Sequence, residues 1–216
     1  MKALEDRSAI IPLIQEAGLR GLGGSGFPTF KKWEFVAGYD ADDKYLIVNG
    51  NEDEPGTFKD CILLEETPHQ VIEGAVIAAL ATNINHIVFY INPDQVDSIA
   101  NMQEAVEQWK ASELNQAVTD TIGEEMSYRV MASSGHYIGG EETAAIESVE
   151  GKFPFPRGRP PFPAESGVWG KPTLVNNTET VSNVSHILRN GAEWYKNLGI
   201  GDTCGTKLYC ISGDVL

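Results

Sequence analysis

Apolar side chains recur along the chain at two spacings, one typical of helices and one typical of strands. Helical spacing occurs at residues 8–17, 68–82, 93–112, 141–150 and 179–189, and the helix at 68–82 is apolar on most faces. Short apolar runs at 44–49, 86–92, 128–132 and 207–212 are typical of strands. Because helices alternate with the first three runs, the pattern predicts an α/β fold with a parallel sheet.

Length and charge limit the kinds of protein to which this chain can belong. The chain has 216 residues, enough for one good hydrophobic core, and its net charge of −15 argues against binding to nucleic acid or an anionic membrane surface. Positive charge nevertheless gathers at Lys31 and Lys32 and at Arg157 and Arg159. Each pair is either a phosphate contact or a solvated basic loop, and the pattern alone favours neither.

Cysteine and histidine usage points away from disulfides and metals. Cys61, Cys204 and Cys210 are too few and too scattered for a disulfide scaffold or a metal cage, and the four histidines form no pair at metal-ligand spacing. The sequence shows neither a signal peptide nor a long apolar run, which predicts a soluble, cytoplasmic protein.

A glycine-rich loop at residues 21–32 is the strongest local signal. Gly21, Gly23, Gly24 and Gly26 precede Pro28, which suits a first helical turn. The loop therefore predicts an anion site at a helix N-terminus, with Lys32 as countercharge. Although its spacing fits G-x-G-x-x-G, a helix precedes it, which argues against a Rossmann turn. A mobile linker is the alternative, which the flanking aromatic side chains disfavour.

Four further segments carry polar or aromatic side chains suited to a ligand. Residues 49–57 follow the first strand, where open α/β sheets bind ligands, although an acidic turn explains them equally well. Residues 133–143 form a second glycine-rich turn whose acids are either ligand contacts or first-turn acids, and whose His136 is better read as a loop histidine than as a general base. Asn176 and Asn177 are either ligand contacts or a helix cap. The proline-rich segment 153–163 predicts a stiff pocket wall in which Phe155 and Phe162 stack on planar rings.

Six segments occur in an order that resembles the NADH-binding flavoprotein subunit of respiratory complex I, with related subunits in NAD-reducing hydrogenases and NAD-dependent formate dehydrogenases. They are GLGGSGFPT at 21–29, KW at 32–33, NGNEDEPGTFKD at 49–60, YIGGEETA at 137–144, PPFPA at 160–164 and NNTET at 176–180. The resemblance extends from about Lys2 to the end of the chain. Several ordered motifs are far more specific than a lone glycine pattern.

The resemblance implies a Rossmann-like domain in which FMN accepts hydride from NADH, with no side-chain general acid or base. The implied FMN contacts are Gly21, Gly23, Lys32, Asn49, Asn51, Glu52, Tyr137, Gly140, Glu141, Asn176, Asn177 and Thr180. The implied NADH contacts are Phe27, Phe35, Glu54, Glu142, Arg159 and Phe162. The implied partners are a thioredoxin-like [2Fe–2S] subunit and a larger iron–sulfur subunit, through which the protein is peripheral to the inner membrane.

The chain departs from the family pattern at three positions and in one region. Leu22 stands where the family usually has Arg, Asn51 where it has Asp, and Arg159 where it has Lys. The family's ubiquitin-like β-grasp and its [4Fe–4S]-binding region are missing from the sequence. We therefore predict an FMN/NADH domain at 1–203 and, at 204–216, the start of a truncated β-grasp domain.

Two alternative functions stay open from the sequence. One is the related subunit of an ion-pumping ferredoxin–NAD oxidoreductase, which the NEDEPGTFKD segment at 51–60 argues against. The other is a shortened, non-catalytic paralogue that binds a nucleotide or only partner subunits.

Overall fold

Four parallel strands form the centre of the fold. The computed structural model describes residues 2–215, the side chain of Lys2 excepted. The strands are β1 (Tyr45–Gly50), β2 (His86–Ile91), β3 (Ser127–Ala132) and β4 (Thr173–Asn177), in the order β3-β2-β1-β4. The predicted parallel α/β fold and its first three strands are thus confirmed. The sequence pattern did not predict β4, which pairs with β1 from Tyr45 to Asn49.

Helices connect and cover the strands. They are α1 (Lys2–Glu5), α2 (Ile10–Ala17), α3 (Thr29–Ala37), α4 (Lys59–Glu66), α5 (Pro68–Thr82), α6 (Val96–Lys110), α7 (Glu113–Ile122), α8 (Glu142–Val149), α9 (Thr178–Asn190) and α10 (Ala192–Asn197). Short 3-10 turns lie at Arg7–Ala9, Tyr137–Gly140 and Val168–Gly170. In the part of the chain that the structure describes, no helix has the length and apolarity needed to cross a membrane.

Strands β1, β2 and β4 are buried on both faces, as their continuous apolar runs require, whereas the edge strand β3 is more exposed. Successive side chains of β1 point in opposite directions, so Leu46 and Val48 join one hydrophobic cluster and Ile47 joins another. The larger cluster packs the sheet against α5, α9, α2 and α3, and the smaller one packs it against α8. This two-sided burial fixes the strand register, and with it the position of the residues that follow each strand.

Helices α5 and α9 approach closely at Gly74. A Cβ atom at position 74 would overlap the carbonyl oxygen of Val181 in α9. Glycine is therefore needed for the two helices to pack side by side. The contact holds α9, which begins immediately after β4, against the core.

The prediction of a strand at 207–212 is wrong. Residues 206–212 are irregular, and most of them are exposed. Instead of joining the sheet, the segment is held by two other hydrogen bonds: the Leu208 N–H donates to Glu179 Oε1 (2.7 Å), and Cys210 Sγ accepts from the Phe58 N–H (3.1 Å). An apolar run of this length forms a strand only beside a neighbouring strand, and the segment pairs with none in the described range. The domain boundary at 203/204 stays a prediction. The outer ends of the two predicted domains, Met1 and Leu216, lie outside the described residues.

Strand order creates one crevice in the sheet. From β1 the chain adds β2 and then β3 on one side, and β4 returns to the other side of β1. The connections after β1 and β4 therefore leave the sheet in different directions, and ligands of open α/β sheets bind at such a switch point. Asn49 and Gly50 end β1, and Asn176 and Asn177 end β4, so these residues border the crevice.

Candidate functional site

Two adjoining cavities open at the carboxyl ends of β1 and β4. Their volumes are about 920 and about 850 Å³, within the usual size of ligand pockets. Residues common to both linings are Gly23, Asn49, Gly140, Glu141 and Asn177, so the cavities form one continuous cleft. The cleft lies where the strand order places a ligand site.

The glycine loop forms one wall of the cleft and joins helix to helix, as its sequence predicted. Its base is closed by the Gly21 N–H, which donates to Phe27 O (2.9 Å). The Leu22 N–H donates to Thr180 Oγ1 in α9 (2.9 Å), so the loop lies against the start of that helix. A Cβ at position 23 would stand 2.9 Å from Asn177 Cβ, which only glycine avoids.

This placement brings the loop to a different helix N-terminus from the one that the sequence indicated. The sequence indicated α3, but the first N–H of α3, that of Thr29, already donates to Leu19 O. The loop instead adjoins the N-terminus of α9, the positive end of its dipole. The N–H groups of Gly23 and Gly24 are exposed and make no hydrogen bond to any other described residue, so they are available to an anion.

Charged side chains in the first cavity form a linked set. Lys32 Nζ lies 2.6 Å from Glu142 Oε1 and donates to Val175 O (3.1 Å). Arg159 Nη2 lies 2.6 Å from Glu141 Oε1 and 3.3 Å from Glu142 Oε2. The set holds two positive and two negative side chains, so the wall is close to neutral overall. An anionic ligand that entered this cavity would meet cations that their carboxylate partners already orient.

The acids at the mouth of the second cavity also hold protein groups. Glu52 accepts from the N–H groups of Asp60 and Cys61 (3.0 Å each) and so caps α4 from a distance. Glu141 Oε2 accepts from the N–H groups of Thr143 and Ala144 and caps α8. The first-turn interpretation of Glu141 is therefore correct for that oxygen. A ligand would contact these carboxylates at their remaining lone pairs.

Four asparagines border the cleft, and three of them use both ends of the side-chain amide. Asn49 donates to Gly140 O (2.8 Å) and accepts from the Asn51 N–H (3.1 Å). Asn51 donates to Asp53 and accepts from Ser133. Asn177 donates to Asp60 Oδ2 (2.7 Å) and caps α9 by accepting from the Glu179 N–H (3.0 Å).

Asn176 differs, because only its oxygen is used. Oδ1 accepts from Trp33 Nε1 (2.8 Å), and its Nδ2 donates to no other described residue. The side chain is buried and lines the first cavity. Of the adjacent pair, Asn177 is therefore the helix cap, and both asparagines line the first cavity.

A buried ion-pair network lies below the second cavity, and sequence analysis gave its members no role. Lys59 Nζ lies 2.7 Å from Asp60 Oδ1 and 3.0 Å from Glu179 Oε2, the latter an ion pair without hydrogen-bond alignment. Burial raises the pKa of Asp60, against the lowering effect of Lys59. Although burial opposes the charge of Lys59, Asp60 and Glu179 hold the pKa of Lys59 above its usual value. The sequence signal that could have identified Lys59 and Asp60 is their position in the NGNEDEPGTFKD motif.

Two of the predicted ligand contacts lie outside the cleft. Arg157 donates to Glu147, to Glu150 (2.7 Å) and to Gly167 O (2.9 Å), so it anchors the proline-rich segment and faces no phosphate site. Phe155 lines neither cavity and packs on Phe153, with ring centroids 4.8 Å apart.

The cleft brings together nearly all the residues that the resemblance implied. The first cavity is lined by Gly21, Gly23, Phe27, Lys32, Phe35, Asn49, Gly140, Glu141, Glu142, Arg159, Phe162, Asn176 and Asn177. Asn51, Glu52, Glu54 and Tyr137 line the second. Thr180 lines neither, and it is buried below the glycine loop. The exposed His136 hydrogen-bonds Ser134 O through Nδ1 (2.8 Å), in agreement with a loop histidine.

Tyr137 and Glu54 meet across the mouth of the second cavity. The Tyr137 hydroxyl donates to Glu54 Oε2 (2.8 Å), and this bond raises the pKa of Tyr137. The pair joins the turn after β1 to the turn after β3. No group of three His, Cys, Asp or Glu side chains within residues 2–215 is placed to hold a metal ion.

Comparison with known proteins agrees with this geometry. The family described as Nuo51 FMN-binding domain matches residues 14–186. The chain belongs to this family. An NADH-quinone oxidoreductase subunit of Rhizobium meliloti (strain 1021) is 43% identical over 208 residues, which are 95% of this chain and 49% of that protein. An NADH-quinone oxidoreductase subunit of Escherichia coli (strain K12) is 42% identical over 208 residues, or 95% of this chain and 46% of that protein.

Solved structures agree with the family assignment. An NAD⁺-reducing [NiFe]-hydrogenase in the H2-reduced state matches with a TM-score of 0.89 and 39% identity, over 99% of this chain and 36% of the hydrogenase chain. Its air-oxidized state gives a TM-score of 0.88. The Rossmann-like fold and the resemblance seen in the sequence are confirmed. The chain spans about half the length of the two oxidoreductase relatives.

The three departures from the family pattern lie in or beside the cleft. Leu22 contributes its backbone N–H to Thr180, a bond that does not depend on its side chain. Asn51 accepts from Ser133 and donates to Asp53, two roles that need an amide. Arg159 contacts both Glu141 and Glu142. Asn51 and Arg159 therefore each have side-chain contacts in this chain, whereas no contact explains the side chain of Leu22.

Proposed function

We propose that this chain is the FMN- and NADH-binding domain of an NADH dehydrogenase flavoprotein. The observation that carries the proposal is the position of the glycine loop: its free N–H groups lie at the N-terminus of α9, at the switch point of the sheet. Family membership and the neighbouring aromatic and basic side chains support the same ligand pair. The residue roles below are part of the proposal.

The residues of the cleft fit an FMN molecule. The Gly23 and Gly24 N–H groups, the α9 dipole and Lys32 suit its phosphate, because each supplies a donor or positive charge. Asn176 offers a side-chain donor at the inner end of the cleft. The carboxylates of Glu52 and Glu141 keep acceptor capacity for hydroxyl groups. Bound FMN would supply the chemistry, by taking a hydride from NADH.

The protein side chains bind, align and exclude water. Phe27, Phe35 and Phe162 line the first cavity and would stack on the rings of the nicotinamide dinucleotide. Glu142 and Glu54 would lie near the nicotinamide, where a carboxylate favours the positively charged NAD⁺ over NADH. Arg159 would meet the dinucleotide phosphates. No proton transfer by a side chain is required.

Flavin binding is tested on the purified chain. We expect addition of FMN to shift the visible flavin spectrum and to quench flavin fluorescence at micromolar concentration. Circular dichroism establishes in the same sample that the chain is folded. A folded chain that leaves the spectrum and fluorescence of FMN unchanged would contradict the proposal and favour the non-catalytic paralogue.

Phe162→Ala should raise the KM for NADH at least about fivefold, with FMN content unchanged, because the substitution removes a stacking surface worth about 1–3 kcal/mol. Steady-state oxidation of NADH by the FMN-loaded chain, with ferricyanide as acceptor, measures this. Phe155→Ala is the matched control, since Phe155 is exposed on the same proline-rich segment but lies outside the cleft. An equal effect of the two substitutions would exclude the stacking role.

The onward path of electrons belongs to the whole protein and its partners. We propose that a thioredoxin-like [2Fe–2S] subunit and a larger iron–sulfur subunit receive the electrons, and that the protein is cytoplasmic and reaches the membrane only through those partners. Homologues named as subunits of NADH-quinone oxidoreductases, and the hydrogenase neighbours, support an assembly of several subunits. A [4Fe–4S] cluster, if the complete protein holds one, would be bound outside these residues.

A further inference from the structure

We propose that Trp33 is a positioning residue: its indole N–H fixes the orientation of the Asn176 amide, so that the Asn176 NH₂ group donates to an acceptor on bound flavin. The inference rests on the proposed flavin binding and adds to it the residue that decides which end of this amide faces the cleft. Trp33 itself is fully buried and does not line the cleft, so it acts only through Asn176.

The hydrogen bond decides the amide orientation by its chemistry. An indole Nε1–H is a donor only, so the Asn176 atom 2.8 Å from it is the carbonyl oxygen. The nitrogen must then point away from Trp33. Since Asn176 lines the first cavity and its Nδ2 has no partner among residues 2–215, the nitrogen faces the space that a ligand would fill.

The Asn176 donor differs from the side-chain amides of the other asparagines in the cleft. Asn49, Asn51 and Asn177 each use both ends of the amide within the protein, so none can turn a free NH₂ group to a ligand without breaking a bond. Asn176 is also buried, at 4% exposure. Its Nδ2 is not among the fully buried side-chain atoms that lack a partner, so the part of this side chain that remains accessible includes the donor that faces the cavity. Of these four amides, only that of Asn176 has an NH₂ group without any acceptor among the described residues.

The orientation also has an energetic consequence. Without the indole donor, the amide could rotate and present either its oxygen or its nitrogen to the cleft. The oxygen would repel an acceptor atom of the ligand, so only part of the population would bind. Fixing the rotamer beforehand removes that loss, which is the usual gain from preorganisation.

Trp33→Phe tests the inference, because phenylalanine keeps an aromatic ring and removes the donor, while the matched control below shares the loss of ring volume. We expect the Kd for FMN, from fluorescence quenching, to rise about threefold to tenfold, which corresponds to a binding-competent fraction of the amide of about a third to a tenth. Trp109→Phe is the matched control: Trp109 Nε1 donates to the Tyr128 hydroxyl at the same 2.8 Å, and it lies outside the cleft. The control should lose stability but keep its FMN affinity.

A double-mutant cycle separates positioning from packing. In the Asn176→Ala background there is no amide to orient, so Trp33→Phe should leave the Kd for FMN unchanged there. Asn176→Asp replaces the NH₂ group with an oxygen at almost constant shape, and it should weaken FMN binding more than Asn176→Ala. If Trp33→Phe does not fold, the comparison of these two substitutions at position 176 still tests the donor.

Each outcome gives a decision. An unchanged Kd in Trp33→Phe, or an equal loss in both backgrounds, would overturn the positioning role while wild-type binding keeps the proposed function intact. If the wild type itself fails to bind FMN, both proposals are overturned. Repeating the titrations with riboflavin locates the acceptor: a loss also seen with riboflavin places it on the ring or ribityl chain, and a loss confined to FMN places it on the phosphate.

Discussion

Lys59→Met should lower the free energy of unfolding by about 3–5 kcal/mol, because it leaves two buried carboxylates without their cation. Lys59, Asp60 and Glu179 are 11%, 5% and 3% exposed at the side chain, so water cannot take over the lost charge. Urea unfolding followed by circular dichroism measures the change. The control is Lys110→Met, which breaks a surface pair with Glu107 and should cost no more than about 1 kcal/mol.

The loss of unfolding free energy in Lys59→Met should depend on pH, and its direction follows from the pKa of Asp60. Burial raises the pKa of Asp60 already in the wild type, and removal of Lys59 raises it further. The cost of an ionised Asp60 is therefore absent where the side chain is protonated in both folded and unfolded chains, below about pH 4. The cost grows as pH rises through the elevated folded-state pKa. The gap between Lys59→Met and wild type should thus narrow on acidification. A gap that is constant from pH 8 to pH 4 would show that the variant is destabilised by lost packing alone.

Lys32→Ala should weaken FMN binding about 10- to 150-fold, the usual range for a hydrogen bond with a charged partner. The substitution removes a cation from the cleft and leaves Glu142 with Arg159 as its remaining cationic contact. Fluorescence titration gives the Kd. Lys31→Ala is a close control, since Lys31 is exposed, adjacent in sequence and absent from both cavity linings.

Riboflavin distinguishes the role of Lys32. If the ammonium pairs with the FMN phosphate, affinity for riboflavin, which has no phosphate, should change little in Lys32→Ala. An equal loss for both ligands would move Lys32 from the phosphate to the flavin ring. If Lys32→Ala binds FMN as tightly as Lys31→Ala does, Lys32 has no part in flavin binding.

Periodicity alone predicted most of the scaffold. The bounds of α5 agree with the sequence pattern, because Pro68 starts the helix and its apolar side chains continue to Thr82. The pattern missed β4, whose apolar part is only Leu174 and Val175 between a proline and two asparagines. It also missed α4, whose N-terminal cap comes from Glu52, several residues earlier in the chain. Caps of this kind depend on tertiary structure, so a local search cannot find them.

For the candidate site, the sequence did not distinguish between neighbouring residues of the same type. Neighbouring residues of one type, such as Asn176 and Asn177, carry the same sequence signal. Both line the cleft, but successive side chains of a strand point in opposite directions, and so only Asn177 caps the helix while Asn176 accepts from Trp33. Arg157 and Arg159 separate for a different reason, since Glu147 in α8 and Glu150 immediately after it hold only Arg157. Sequence alone indicated the chemistry of each segment, and tertiary contacts decided which residue performs it.

The three anchors of the glycine loop have a kinetic consequence. Arg20 and Pro28 form an isolated β-bridge, the Gly21 N–H donates to Phe27 O, and the Leu22 N–H donates to Thr180 Oγ1. Within the loop, only residues 23–26 lie between these fixed points. A ligand that reaches the cleft therefore meets a nearly finished surface and orders few backbone dihedrals on arrival. Association should then be governed by how often the ligand meets the open cleft in the correct orientation, and differences in affinity between variants should appear mainly in how long the ligand stays.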